Sequence, residues 1–130
     1  MYLRENSLCQ QLASLLGGKA TFDDGVCSVI KSRNIQATIL GRPTRSAINL
    51  SYAFESFHHD GTALCLAEFA LMPQEINGVC SVLTRNNIPI TALHNHWLYD
   101  KPAIMYLHFE SIDHPLSFAS KLSEVSKLLK

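Results

Sequence analysis

No stretch of this chain is apolar over the roughly 18 residues that a membrane-spanning helix requires. Its opening, Met1-Tyr-Leu-Arg-Glu-Asn6, has neither the basic start nor the apolar core of a secretory leader. These two absences predict a soluble, cytoplasmic protein with no membrane partner. Charge of one sign is not in excess either. Eleven Lys and Arg balance 11 Asp and Glu, which argues against a nucleic-acid partner, since such binders usually carry a basic patch. Cys9, Cys27, Cys65 and Cys80 form no Cys-x-x-Cys pair. In a cytosolic chain they are expected to be small buried hydrophobes, without a disulfide framework. The chain also lacks repeats, low-complexity segments and a glycine-rich phosphate loop. No nucleophile has a neighbouring base, and Ser51 near His-Asn-His is too loose an association for a triad.

What is present is enough for a core. The 130 residues are 47% hydrophobic, which predicts one domain over 1–130. Leu8, Leu12 and Leu15 at helical spacing predict a helix over 4–16, stopped by Gly17-Gly18. Thr21 to Gly25 reads as a turn. β-branched runs predict strands over 26–33 and 35–40, joined at Asn34 by a hairpin, bend or bulge. Gly41-Arg42-Pro43-Thr44-Arg45 is expected to be a loop, either a solvated turn or an anion-binding one.

A strand over 48–57 should end at His58-His59-Asp60-Gly61, an exposed hairpin turn. Adjacent histidines on a strand point to opposite faces, which disfavours joint metal binding there. The apolar run 62–71 predicts a central strand whose one charge is Glu68. That carboxylate must find a partner, become protonated or lie near water. Pro73 opens a helix over 74–87 with the stripe Met72, Ile76, Val79, Cys80 and Leu83; Asn86-Asn87 stops it. His114-Pro115 opens a last helix buried through Phe118, Leu122, Val125 and Leu129. Consecutive strands followed by helices predict an α+β domain, with an antiparallel or mixed sheet and helices packed on it.

The chemistry concentrates between residues 88 and 110. Two apolar runs flank Tyr99-Asp100-Lys101-Pro102, a reversal signal, and predict a β-hairpin with strands over 88–97 and 103–110. Ile90, Ala92, His94 and His96 share one face; Ile104, Tyr106, His108 and Glu110 share the matching face. A loop centred near Asp100 and Lys101 sets His94 opposite His108 and His96 opposite Tyr106, with Cβ atoms about 5 Å apart. Three imidazoles then reach one point. His94, His96 and His108 are the candidate metal ligands, with Zn²⁺ the default and other divalent transition metals compatible. Glu68 is the candidate fourth ligand or general base on a metal-bound water.

The strings Leu66-Ala-Glu68-Phe-Ala-Leu-Met-Pro-Gln-Glu75, Ile88-Pro-Ile-Thr-Ala-Leu-His94-Asn-His96 and Ile104-Met-Tyr-Leu-His108-Phe109 resemble the LppY/LpqO-type domain, a bacterial family known mainly as a domain of unknown function. The resemblance spans about residues 22–129 and includes Leu50-Ser51-Tyr52-Ala53-Phe54. Relatives often carry Gly-Asp where this chain has Ala67-Glu68, and Arg where it has Ala103. The resemblance therefore implies fold and candidate residues, not an activity. Ser51, Glu68 and Tyr106 are the candidate ligand-binding residues. Two functions follow. One is a small-ligand or metal-binding domain, with hydrolysis as one use of the site. The other is a non-catalytic interaction or sensing module whose histidines form a hydrogen-bonded network.

Overall fold

The computed structural model describes residues 2–129. Six antiparallel strands form the main sheet: β1 (Lys19–Asp23), β2 (Val26–Ser32), β5 (Asn49–Glu55), β6 (Ala63–Leu71), β9 (Met105–Asp113) and β7 (Ile90–Asn95), in the spatial order β1-β2-β5-β6-β9-β7. A smaller sheet has the order β4-β3-β8, from β3 (Ala37–Ile39), β4 (Arg42–Thr44) and β8 (Asp100–Lys101). Helices α1 (Tyr2–Leu16), α2 (Ile76–Arg85), α3 (Pro115–Lys121) and α4 (Ser123–Leu128) complete the α+β domain. No helix among the described residues is long and apolar enough to cross a membrane.

Side-chain alternation divides the main sheet into two unlike faces. Cys27, Val29, Tyr52, Phe54, Phe69 and Phe109 point to the helices and are almost wholly buried. Their aromatic rings pack edge to face, with Phe69 and Phe109 centroids 4.9 Å apart and Phe54 and Phe118 6.0 Å apart. Such contacts add to the roughly 1.5–3 kcal/mol that burying each large apolar side chain contributes. The intervening residues Ser28, Ser51, Ala53, Leu66, Glu68 and His108 point to the other face, which no helix among the described residues covers.

The small sheet closes one end of that open face over a second core of Ala37, Ile48, Ala70, Ile104 and Tyr106. Arg33, at the exit of β2, crosses the seam between the two cores. Its guanidinium donates to both Glu75 carboxylate oxygens at 2.6 Å and to the Ala70 carbonyl at 3.0 Å. Glu75 in turn accepts the Met72 amide at 2.8 Å. The pair therefore fastens the sheet to the turn that starts α2.

Several expectations need correction. The stretch read as a turn from Thr21 begins as β1, and only Asp24-Gly25 turn, both at positive φ. The loop after Gly41 contains β4, paired with β3 through Thr38↔Pro43. Proline fits there because this is an edge strand. Leu15 is 64% exposed; the buried stripe of α1 is Cys9, Leu12 and Ala13, with Leu8 and Leu16 beside it. The last helical segment breaks at Leu122 into α3 and α4, although Phe118, Leu122 and Val125 are buried as the stripe requires. Cys9 and Cys27 are joined in a disulfide with Cα atoms 5.6 Å apart, where unlinked hydrophobes were expected. Docking α1 onto β2 brings these buried residues together, which sequence spacing does not reveal.

Candidate functional site

The open face gains its chemistry from one row of directly paired residues. Ile30 lies opposite Ser51, Ser51 opposite Glu68, Glu68 opposite His108 and His108 opposite Ala92. Strand parity does this. Each residue occupies an outward position of an antiparallel strand, so a polar group there costs no buried charge. Ser51, Glu68 and His108 border a shallow depression of about 320 Å³ with Ile30, Ala53 and Leu66.

The hairpin pairing differs from the sequence expectation. His94 faces Tyr106 and Ala92 faces His108, with an irregularity between Ile90 and Ala92. The expected partners are displaced by two residues along the strand. An even displacement keeps side chains on their faces, so His94 still meets His108 diagonally. Their Nε2 atoms are 3.0 Å apart. His108 Nε2 is also 3.3 Å from Glu68 Oε2, and both side chains are partly open to solvent.

Proton placement in this cluster follows from its partners. His94 Nδ1 lies 3.0 Å from the Asn95 carbonyl oxygen. A carbonyl only accepts, so Nδ1 must carry the hydrogen, and neutral His94 presents an Nε2 lone pair. That lone pair faces His108 Nε2. A single His108 Nε2–H is then sought by two acceptors, His94 Nε2 and the Glu68 carboxylate. The acceptor it does not serve is left to solvent, to which the Glu68 side chain is 45% exposed, or to a further proton or metal ion entering the cluster.

His96 does not join this convergence. Its ring stacks on Trp97 at 4.3 Å between centroids and meets Tyr106 edge-on at 5.3 Å. Among the described residues, no group of three or more His, Cys, Asp and Glu is arranged to hold a metal ion. The Tyr106 hydroxyl donates to the Ala47 carbonyl and accepts from Trp97 Nε1 at 2.7 Å. That chain, buried at its Tyr106–Ala47 link, ties the hairpin end to the loop before β5. Burial pushes the Tyr106 phenol up, the Trp97 hydrogen bond opposes this, and nearby Glu68 and Asp100 add to the rise. Trp97 had no assigned role in the sequence reading; its position next to His96 was the available signal.

His58 and His59 sit in an exposed turn. The turn is closed by the Thr62 carbonyl accepting the His58 amide at 2.9 Å and by Asp60 accepting the Thr62 amide and hydroxyl. Those Thr62 hydrogen bonds, the hydroxyl's first, hold the Asp60 carboxyl below its ordinary value. In the Arg42 to Arg45 segment, Arg45 donates to Ser32 Oγ at 3.1 Å.

Compared with known proteins, residues 10–128 match a family model described as Domain of Unknown Function (DUF1259). No curated protein and no solved structure matches the chain.

Proposed function

This chain belongs to the family described as Domain of Unknown Function (DUF1259), a description that carries no activity, and we propose from the site itself that the protein binds a small ligand through a divalent transition metal on its open sheet face. His94, His108 and Glu68 would supply the donors, with Zn²⁺ as the default ion and Ser51 at the edge of the ligand space. The carrying observation is the shared His108 Nε2, contacted by both His94 Nε2 and Glu68 Oε2. The Asn95 carbonyl fixes the His94 tautomer in the manner that orients a metal-ligating imidazole.

As they stand, these three side chains are not arranged to hold a metal, so binding requires them to move. Two nitrogens bound to one tetrahedral Zn²⁺ at 2.0–2.1 Å stand about 3.3 Å apart. The present 3.0 Å must therefore open slightly. A hydrolytic use is the extension of this reading, with Glu68 accepting a proton from bound water. The resemblance to LppY/LpqO-type domains belongs to the same proposal. So does the compartment: the Cys9–Cys27 disulfide fits an oxidising setting better than the cytoplasm expected from the sequence.

A second reading is a non-catalytic interaction or sensing module. The stacking of His96 on Trp97 favours it, because that removes one of the three expected ligands. Elemental analysis of protein purified without a histidine tag separates the two. The metal reading expects bound metal, and a melting temperature raised by Zn²⁺ in wild type and His96→Ala but not in His94→Ala or His108→Ala. Less than about 0.1 metal per chain, with melting unmoved by Zn²⁺, removes it, since a ligand specific to the native state must stabilise.

A further inference from the structure

A second cavity lies on the helix side of the sheet, away from the histidines. It encloses about 540 Å³ between the end of α1, strands β2 and β5, and the α3–α4 arm. That is within the ~300–1,000 Å³ of small-molecule sites, which are mostly apolar with a few placed polar groups. Leu16, Leu50, Leu122, Val125 and Leu129 give this one its apolar walls.

Several polar side chains share the lining, Lys31 and Tyr52 among them. Lys31 is half-buried, and no carboxylate among the described residues pairs with it. Its Nζ lies 3.5 Å from where a Cβ on Gly17 would stand, just past the end of α1. The partial negative charge of a helix C-terminus favours an ammonium there. Its aliphatic stem can lie against the apolar wall while the charge stays near water.

Tyr52 is the second such group. It is 6% exposed, and its hydroxyl has no hydrogen-bond partner among the described residues. That oxygen is not among the described side-chain atoms stranded away from solvent, so it can donate into the open space of the cavity it lines. Burial pushes its phenol far above the ordinary value, leaving a neutral O–H donor. Arg33 also borders the cavity, but its charge is committed to Glu75. Among the described residues of the lining, Lys31 therefore offers a cation without a carboxylate partner, and Tyr52 a neutral donor on the sheet side.

We propose that this cavity binds an aliphatic carboxylate, with the chain against Leu50, Leu122 and Val125 and the carboxylate accepting from Lys31 Nζ and Tyr52 Oη. An apolar wall alone would select no headgroup. A lone ammonium plus a neutral donor selects a monoanion that accepts hydrogen bonds.

Calorimetric titration of the whole chain with sodium decanoate below its micelle-forming concentration tests this, with decan-1-ol as the uncharged control. One saturable site per chain is expected. Lys31→Gln should weaken decanoate about tenfold or more while leaving decan-1-ol unchanged, since hydrogen bonds to a charged group are among the stronger ones. Tyr52→Phe should weaken both. Lys31 is not part of the core, so Lys31→Gln keeps the wild-type melting temperature and the comparison remains readable. Absence of saturable decanoate binding, or equal decanoate affinity in wild type and Lys31→Gln, overturns the proposal.

Discussion

Arg33 and Glu75, 42 residues apart in sequence, meet in a two-pronged ion pair with both N–O distances at 2.6 Å. Their side chains are 2% and 8% exposed. Removing one partner strands the other charge out of water, which typically costs about 3–5 kcal/mol. Glu75→Ala should therefore lower unfolding stability by about that amount in urea denaturation. A Glu75→Ala protein within about 0.5 kcal/mol of wild type would show that solvent reaches the guanidinium.

The same pair sets a pH dependence. Burial raises the Glu75 carboxyl, but hydrogen bonds and charge from Arg33, with the Met72 amide, bring it net below its ordinary 4.5. A depressed folded value means the unfolded state binds protons more readily. Its stabilising contribution is thus complete above about pH 4.5 and is lost as pH falls through the lower folded value. Wild type should lose more stability than Glu75→Gln between pH 5 and pH 3, as measured by denaturation at each pH. Parallel pH curves for the two proteins would remove Glu75 as the cause.

Tyr106→Phe tests the chain that anchors the hairpin. The substitution leaves the Ala47 carbonyl without its donor and the Trp97 indole without its acceptor. One unsatisfied buried group costs about 1–3 kcal/mol. Chemical denaturation should show a loss in that range. Trp97 is the chain's one tryptophan, so its fluorescence should shift with it. An unchanged emission spectrum would show that the indole does not depend on this contact.

The Cys9–Cys27 bond closes a loop spanning 18 positions. Loops of about that size confer roughly 3 kcal/mol by restricting the unfolded chain. The double variant Cys9→Ala, Cys27→Ala should be destabilised by about that much. Adding a reductant should bring wild type towards the variant and leave the variant unmoved. A wild type indifferent to reductant would count against the bond in solution.

Much of the candidate site could be read from residue type and parity. Glu68 stood out as the one charge in an apolar strand, and it does lie beside His108. The shared face of His94 and His108 followed from the two-residue repeat, which an even displacement leaves intact. Their pairing partners did not follow. The displacement arises on the loop side, where Asp100-Lys101 leave the hairpin to pair with β3. That pairing is a tertiary contact.

The same limit applies elsewhere. β1 has only five residues, and the turn signals at Gly17-Gly18 and Asp24-Gly25 crowd it. The helices were visible because their stripes have one period over two or more turns. Leu15 was misplaced because it lies one residue off the buried stripe of α1. Arg33 and Glu75 carry no local sign of each other, since their pairing exists only once β2 and α2 pack.

The two faces of the main sheet make this chain unusually sensitive to the length of a change. In β6, one residue in two belongs to the core and its neighbours carry Glu68 and the open face. Deleting a single residue within that strand would turn Glu68 inward and Phe69 outward together, damaging folding and chemistry in one step. Deleting two would restore the facing and move the carboxylate along the sheet by about 7 Å. Variation that conserves folding should therefore accumulate in β6 as substitutions or paired losses, with single-residue gaps confined to the turns.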